Sequence, residues 1–371
     1  MLDNLAAGFR IIHCRGAGLI ETQWRDCLAA SDFPTHYTAP EYFLEPALRD
    51  RKPFAILSAV GNKVTAVLTG IHDGERVQSG LSVRPQIAFS RQADRSLAMS
   101  ALIAGLLQEA RSAKLVDLYL WSDMAGPEDA RFRQKHYAGV VVLDLSRGPE
   151  ALFRKFSQTR RNDIRRAIRR GVSVEPANGR DDVSAYYPVY VEWARYKGLP
   201  IAGEDQFQET FALTHNRLLL LARYEGHIIA GAVLRFFPRG VVEYAANSSL
   251  ENSLHLRPND LLQWRAVEWA CAEGMTKYSL GGDHLFLRKS GGEVFPTTRH
   301  RLDLSMLRRY TVGDWIADRV EDVSPVLPRR VAELGRSLRS HVQKLHTRGG
   351  GAWRDPRQRR LPLSSHDDPG R

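Results

Sequence analysis

Two glycine pairs enclose a polar loop at residues 281–292 of this 371-residue chain. Gly281 and Gly282 follow the apolar run TKYSL, Gly291 and Gly292 close the loop, and Asp283, His284, Arg288 and Lys289 lie between them. Glycine permits a sharp turn or the close approach of a ligand to backbone, and loops at strand ends present polar groups from a rigid scaffold. The loop is therefore a candidate site; an ordinary surface hairpin is the alternative, and both readings stay open. Upstream, VVEYAANSS (241–249) passes from apolar residues to Glu243, Tyr244, Asn247 and Ser248, as a strand does where it reaches the edge of a cleft. Asn247 can orient a carbonyl or an amine, and Tyr244 can donate a hydrogen bond or act as an acid.

Other chemistries find little support. HExxH, a P-loop, a GxSxG elbow and a GxGxxG after a strand are all missing. Cys14, Cys27 and Cys271 show no CxxC spacing, so neither a disulfide framework nor a structural zinc site is expected. His284 beside Asp283 does not make a metal site, and no metal is expected.

The charge is concentrated. Formal net charge is +11, but between residues 147 and 170 nine Arg or Lys stand against two acids, and between 321 and 371 eleven stand against six. Two basic patches thus sit on a near-neutral body and favour anionic partners. The first contains SQTRRNDIRRAIRRGV (157–172). Pro149 and Glu150 begin a helix well, Leu152, Phe153, Phe156, Ile164, Ala167 and Ile168 form its apolar stripe, and Gly171 stops it. One unbroken helix would put Arg160 within that stripe. Either the helix breaks near 157–159, or Arg160 is drawn inward towards an anion. Arg160 or Arg161 is expected to face an interdomain cleft, with Arg165, Arg166, Arg169 and Arg170 largely in solvent.

The elements that must position these residues repeat. Residues 54–82 read as strand, turn, strand, turn, strand, and residues 217–249 follow the same plan. A helix pattern and a short strand come next in each half, with Leu120 and Leu280 in equivalent places. In the second helix Asn259 or Asp260 is the expected cap, and Leu262, Ala266, Val267, Ala270 and Cys271 share one side. The pattern predicts two superposable α/β domains, 1–146 and 147–310, with separate sheets. A helical extension is expected over 311–348, with Leu327, Val331, Leu334, Leu338, Val342 and Leu345 on one face, and a disordered tail over 349–371. No signal peptide or membrane-spanning run is expected, so cytoplasmic residence is the default, with possible peripheral contact at the inner membrane face.

The ordered set NDLLQWRAVEWACAEGMTKYSLGGDHLFLRKSGGEV, preceded by Ser157, Arg160, Arg161, Ile164, Ala167 and Gly171, resembles the FemAB-like transferases. These belong with the BioF2-like acetyltransferases in the Gcn5-related N-acetyltransferase (GNAT) superfamily. The resemblance spans about residues 10–305 and implies tandem GNAT-like α/β domains, each a mixed, mostly antiparallel sheet flanked by helices. It implies N-acyl transfer to an amine: an acyl or aminoacyl group passes to an anionic small molecule, cell-envelope precursor or nucleotide-linked acceptor. The donor is then acetyl-CoA or another acyl-CoA, or an aminoacyl-tRNA. Catalysis centres on setting an activated carbonyl beside the amine and stabilising the tetrahedral oxyanion. Tyr244, Asn247, Arg288 and Lys289 are the catalytic candidates; Arg160, Arg161, Arg257, Gly281, Gly282, Asp283 and Phe286 are the substrate-binding candidates. Bridge-forming members carry a Phe-Lys pair where this chain has Phe286 and Leu287, leaving Arg288 or Lys289 to supply the charge. Acetyltransferases place R/QxxGxG/A at a junction that here reads SLHLRPNDLLQ, in which Arg257 is the phosphate candidate. An acetyl-CoA-dependent acetyltransferase of a small metabolite and a non-catalytic RNA- or anionic-surface-binding protein are the alternatives.

Overall fold

A computed structural model describes residues 9–16 and 18–315. The first half comprises β1 (Phe9–Cys14), α1 (Glu21–Ala29), β2 (Pro53–Val60), β3 (Lys63–Asp73), β4 (Arg76–Ser79), β5 (Ile87–Phe89), α2 (Arg95–Glu109), β6 (Leu115–Trp121) and β7 (Arg133–Asp144). The second comprises α3 (Gly148–Lys155), α4 (Gln158–Arg169), β8 (Ser173–Pro176), α5 (Gly179–Tyr196) and α6 (Glu204–Ala212). It continues with β9 (Arg217–Tyr224), β10 (His227–Phe236), β11 (Val241–Ser249), α7 (Pro258–Ala272), β12 (Lys277–Ser279), α8 (Leu285–Arg288) and β13 (Glu293–Asp303). The repeated order is β2-β3-β4-α2-β6 and β9-β10-β11-α7-β12, at the positions the sequence pattern marks.

The expected separation into two sheets is corrected. One sheet runs β1-β2-β3-β4-β6-β13-β7-β12-β11-β10-β9-β8, with β5 pairing off β3. Its order reads alike from both ends, because each half lends a strand to the other. β7, which follows β6, pairs with β12, whereas β13, which follows β12, pairs with β6; β7 and β13 then pair at the centre. Among the described residues only β4 with β6 and β11 with β12 run parallel, so the sheet is mostly antiparallel. The boundary near residue 146 is one of chain order, not of hydrogen bonding.

Helices cover both faces. α7 buries Leu262, Ala266, Val267 and Ala270 against Ala230, Ala232, Val242 and Tyr278, while α2 packs Leu102 and Leu106 against Ile56 and Leu118. On the opposite face α5 packs Val183 and Tyr186 against Leu219 and Leu221, and α1 packs Trp24 and Leu28 on Leu57 and Val67. A chain of short turns over 36–48 reaches from the first half onto the second. There buried Glu45 takes hydrogen bonds from His36 at 2.5 Å and from Arg217 and Arg235 at 3.0 Å each. Burial alone would raise the Glu45 carboxyl, but Arg235, His36 and Arg217 hold it well below the usual carboxylate range. Burial lowers His36 itself to about 4.

Among the described residues no helix is long and apolar enough to cross a membrane. The expectations for residues 316–371, including the apolar stripe from Leu327 to Leu345 and the disordered tail, lie outside the described residues.

Candidate functional site

The site is built where β11 and β12 part. They pair only from Val241 to Glu243 against Lys277 to Ser279. Beyond that point β12's line stays on β7, with Leu280 N donating to Val141 O and Val141 N to Gly282 O at 2.9 Å each. β11 instead continues along β10 to Ser249. A wedge opens between Tyr244–Ser249 on one side and 280–282 on the other. A bulge lies in β11, where Val233 faces Ala246 but Leu234 faces Tyr244, leaving Ala245 as the extra residue. Residues three apart on a regular strand point to opposite faces; the additional residue turns Tyr244 and Asn247 to the same side. That side faces α7. Asn247 Nδ2 donates to Asn259 Oδ1 at 3.4 Å, and Ser249 Oγ donates to the same oxygen at 2.7 Å.

The basic run supplies the cover. Both alternatives left open at Arg160 are realised. Phe156 is extended between α3 and α4, and Ser157 caps α4 by accepting from Arg160 N at 3.2 Å. Arg160 is nevertheless fully buried (0% exposed). Its anion is internal: Nε donates to Asp260 Oδ1 at 3.2 Å, Nη1 donates to Ser290 Oγ, and the guanidinium lies 4.2 Å from the Phe286 ring centre. Burial pushes Arg160 down from its ordinary value and Asp260 up, outweighing their mutual attraction. Arg160 thus ties α4 to the first turn of α7 and to the 281–292 loop.

Arg161 closes the end of α3, donating from Nη1 to the carbonyls of Arg154 at 2.8 Å and Phe156. Arg165, Arg166 and Arg169 are exposed, as expected, whereas Arg170 is half-buried and donates to His255 O at 2.7 Å. Ile168, placed in the apolar stripe from the sequence, is 48% exposed. The break at Phe156 shifts the helical phase, and Ile164 and Ala167 alone carry the stripe inward on α4.

The loop is shaped by the protein's own backbone. Gly281 has φ +73°. A Cβ on Gly291 would lie 2.5 Å from Lys155 O, and one on Gly292 would lie 2.5 Å from Val142 O. The second glycine pair therefore admits α3 and β7. Asp283 and Arg288 form a bidentate pair at 2.6 and 2.7 Å, which raises the Arg288 guanidinium above its ordinary value. Leu287, where the resemblance sets the lysine of bridge-forming members, is buried. Lys289 is exposed, and its charge reaches Asp260. His284 stacks beside Phe286, 6.2 Å between ring centres. Among the described residues no cluster of His, Cys, Asp or Glu could hold a metal ion.

Pattern reasoning missed Asp260 as the partner of Arg160, Ser290, and the buried Tyr278, whose hydroxyl donates to Gln263 Oε1 at 3.3 Å. Neither Asn259 nor Asp260, the two expected caps, takes that place: the cap residue is Arg257, in the left-handed region at φ +63°, followed by Pro258. Arg257 is turned to Asp163 on α4 at 3.4 Å. A helix N-terminus holds a pyrophosphate through free backbone donors and favours negative charge. Here Pro258 removes one donor, the Asp260 carboxylate already stands in the first turn, and α4 lies across it. These residues do not fit a CoA pyrophosphate.

Residues 155–289 match the acetyltransferase (GNAT) domain family. The structure of FemX is similar over 78% of this chain and 96% of that one, with 12% identity and a TM-score of 0.58. The C-terminal domain of a putative lysylphosphatidylglycerol synthetase from Agrobacterium fabrum is similar over 77% and 92%, with 13% identity and a TM-score of 0.53. The L-PGS structure from Bacillus licheniformis gives 75% and 90%, 14% and 0.50. No curated protein matches in sequence.

Proposed function

We propose that this GNAT-type acyltransferase, FemAB-like in fold, moves an acyl or aminoacyl group onto the amine of a cell-envelope-related or nucleotide-linked acceptor, at the wedge between β11 and β12. The observation that carries the reading is the wedge itself: Tyr244 and Asn247 are brought to one side by the bulge, and the loop bearing Lys289 is clasped opposite by Arg160. In the step, the acceptor nitrogen attacks the donor's carbonyl carbon and a tetrahedral oxyanion forms. Its collapse breaks the bond to the leaving group, which takes up the proton lost by nitrogen. Arg288 is committed to Asp283, so the charge opposite the oxyanion is assigned to Lys289, with the Asn247 amide orienting the carbonyl and the Tyr244 hydroxyl serving proton transfer.

The obstructed first turn of α7 argues against acyl-CoA as donor. An aminoacyl ester carried on RNA needs no such cradle, and the exposed Arg165, Arg166 and Arg169 offer charge for its phosphates. The likeness of fold to FemX and to two lysylphosphatidylglycerol synthetase structures supports an acceptor of envelope type.

Two measurements test the reading. Mass spectrometry of small molecules and nucleic acids retained by the purified chain should find RNA or an amine-bearing anionic metabolite. Transfer assays with acetyl-CoA and with aminoacyl-tRNA, offered UDP-linked and lipid-linked amines, should show the acceptor gaining an aminoacyl mass. Acetylation from acetyl-CoA alone would reverse the donor assignment; no transfer from either donor would refute the function.

A further inference from the structure

The described C-terminal segment of the chain presents an apolar tip that the transfer reading does not use. Met306 and Leu307 are 89% and 86% exposed, and Val312 and Trp315 are 50% and 58% exposed. Isolated exposed apolar residues are common on soluble proteins, but Met306 and Leu307 are adjacent and almost fully exposed, and two more exposed apolar residues follow within the next eight. The tip is also held in a costly conformation. Leu307 and Arg308 have φ of +83° and +45°, a region that bulky side chains seldom adopt. The turn is nevertheless anchored firmly: Asp303 accepts from Ser305 N at 3.0 Å and Thr311 N at 2.7 Å, and Leu304 N donates to Lys114 O at 2.9 Å.

Cations flank it. Arg308, Arg309 and Lys114 are exposed, with Glu75 the acid that pairs with the latter two. Exposed apolar side chains flanked by an excess of exposed cations, with a tryptophan on the helix that follows, suit an anionic bilayer surface.

We propose that the turn at 304–308, with Val312 and Trp315, is a peripheral docking surface for anionic lipid. Met306 and Leu307 enter the acyl boundary while Arg308 and Arg309 meet the headgroups. The inference is independent of the donor and acceptor assigned above.

The test is flotation of the full chain with vesicles of phosphatidylcholine alone or mixed with phosphatidylglycerol. Binding is expected to the anionic vesicles only, weakening several-fold between low and high salt. The double variant Met306→Ser, Leu307→Ser should lose affinity on the order of tenfold or more, and Arg308→Glu several-fold, both with unchanged thermal unfolding. Absence of flotation with anionic vesicles would overturn the proposal. Equal flotation of the double variant would also overturn it, since binding would then lie elsewhere on the chain. A double variant that instead loses thermal stability would show that the tip is covered by the protein's own chain.

Discussion

The two halves share one plan and treat its central gap in opposite ways. In the second half, β11 leaves β12 after Glu243 and the interval stays flanked by Tyr244, Asn247 and the 281–292 loop. In the first half, β4 and β6 pair from Arg76 to Ser79, and the chain then folds back into the corresponding space. Gly80 turns there at φ +82°, its N donates to Gln86 Oε1 at 2.9 Å, and a Cβ on it would lie 2.9 Å from Tyr119 Cβ. Thr297 of β13 donates to Ser82 O and closes the segment down. Among the described residues, only the second half carries a basic helix clasped to the start of its main helix. One half thus keeps its gap open and the other fills the equivalent place by packing, with the exchange of β7 and β13 holding both in one sheet.

Breaking the clasp should have the largest effect. Arg160→Met leaves the Asp260 carboxylate buried without its partner, and removal of one member of a buried pair typically costs about 3–5 kcal/mol. Denaturant unfolding should show that loss, and adding Asp260→Leu should restore much of it. If Arg160→Met is as stable as the parent, the clasp does not hold the second half together.

Next in size is the chemical step. Asn247→Ala or Lys289→Ala should lower turnover at saturating substrate by roughly 100- to 1000-fold, as loss of a transition-state donor does, with unfolding unchanged. Near-normal turnover in both would move the reaction out of this wedge.

Acidification should loosen the junction between the halves. Because burial holds folded His36 at about 4, the unfolded chain takes up the proton first as pH falls below its ordinary value. Stability should therefore decline between about pH 6.5 and 4, by up to roughly 3 kcal/mol from this group. Glu45, held low by its arginines, adds stability that persists down to about pH 4.5 and is lost progressively in stronger acid. His36→Gln should flatten the profile, read as unfolding free energy against pH.

Disturbing the filled gap should cost less. Gly80→Ala places a Cβ in a left-handed conformation against Tyr119, a strain of roughly 1–3 kcal/mol, and should leave transfer in the second half intact. A drop in turnover matching that of Asn247→Ala would mean that the first half takes part in catalysis. Smallest of all, Arg165, Arg166 and Arg169 changed to Gln should alter stability by less than about 0.5 kcal/mol each.

Local pattern alone determined much of this protein. Period-two alternation over 54–82 and 217–249 and the helix patterns after them predict elements that the structure contains, because such periodicity is imposed by the nearest neighbours along the chain. The misfit of Arg160 in its stripe likewise poses a choice between a break near 157–159 and an inward arginine; the structure has both, with the break at Phe156 and Ser157. The partner was another matter. Asp260 lies 100 residues away, and no local signal separates a carboxylate meant for a helix cap from one meant for a buried guanidinium. The strand exchange was equally invisible, since the residues of β7 and β13 read the same whether those strands pair within their own half or across the centre. The bulge at Ala245 decided which face Asn247 shares with Tyr244, and it exists only in the register of β11 against β10. Side-chain periodicity selects an element and its buried face; pairing across long stretches of chain is settled by which surfaces fit once the elements meet, and that is decided only in three dimensions.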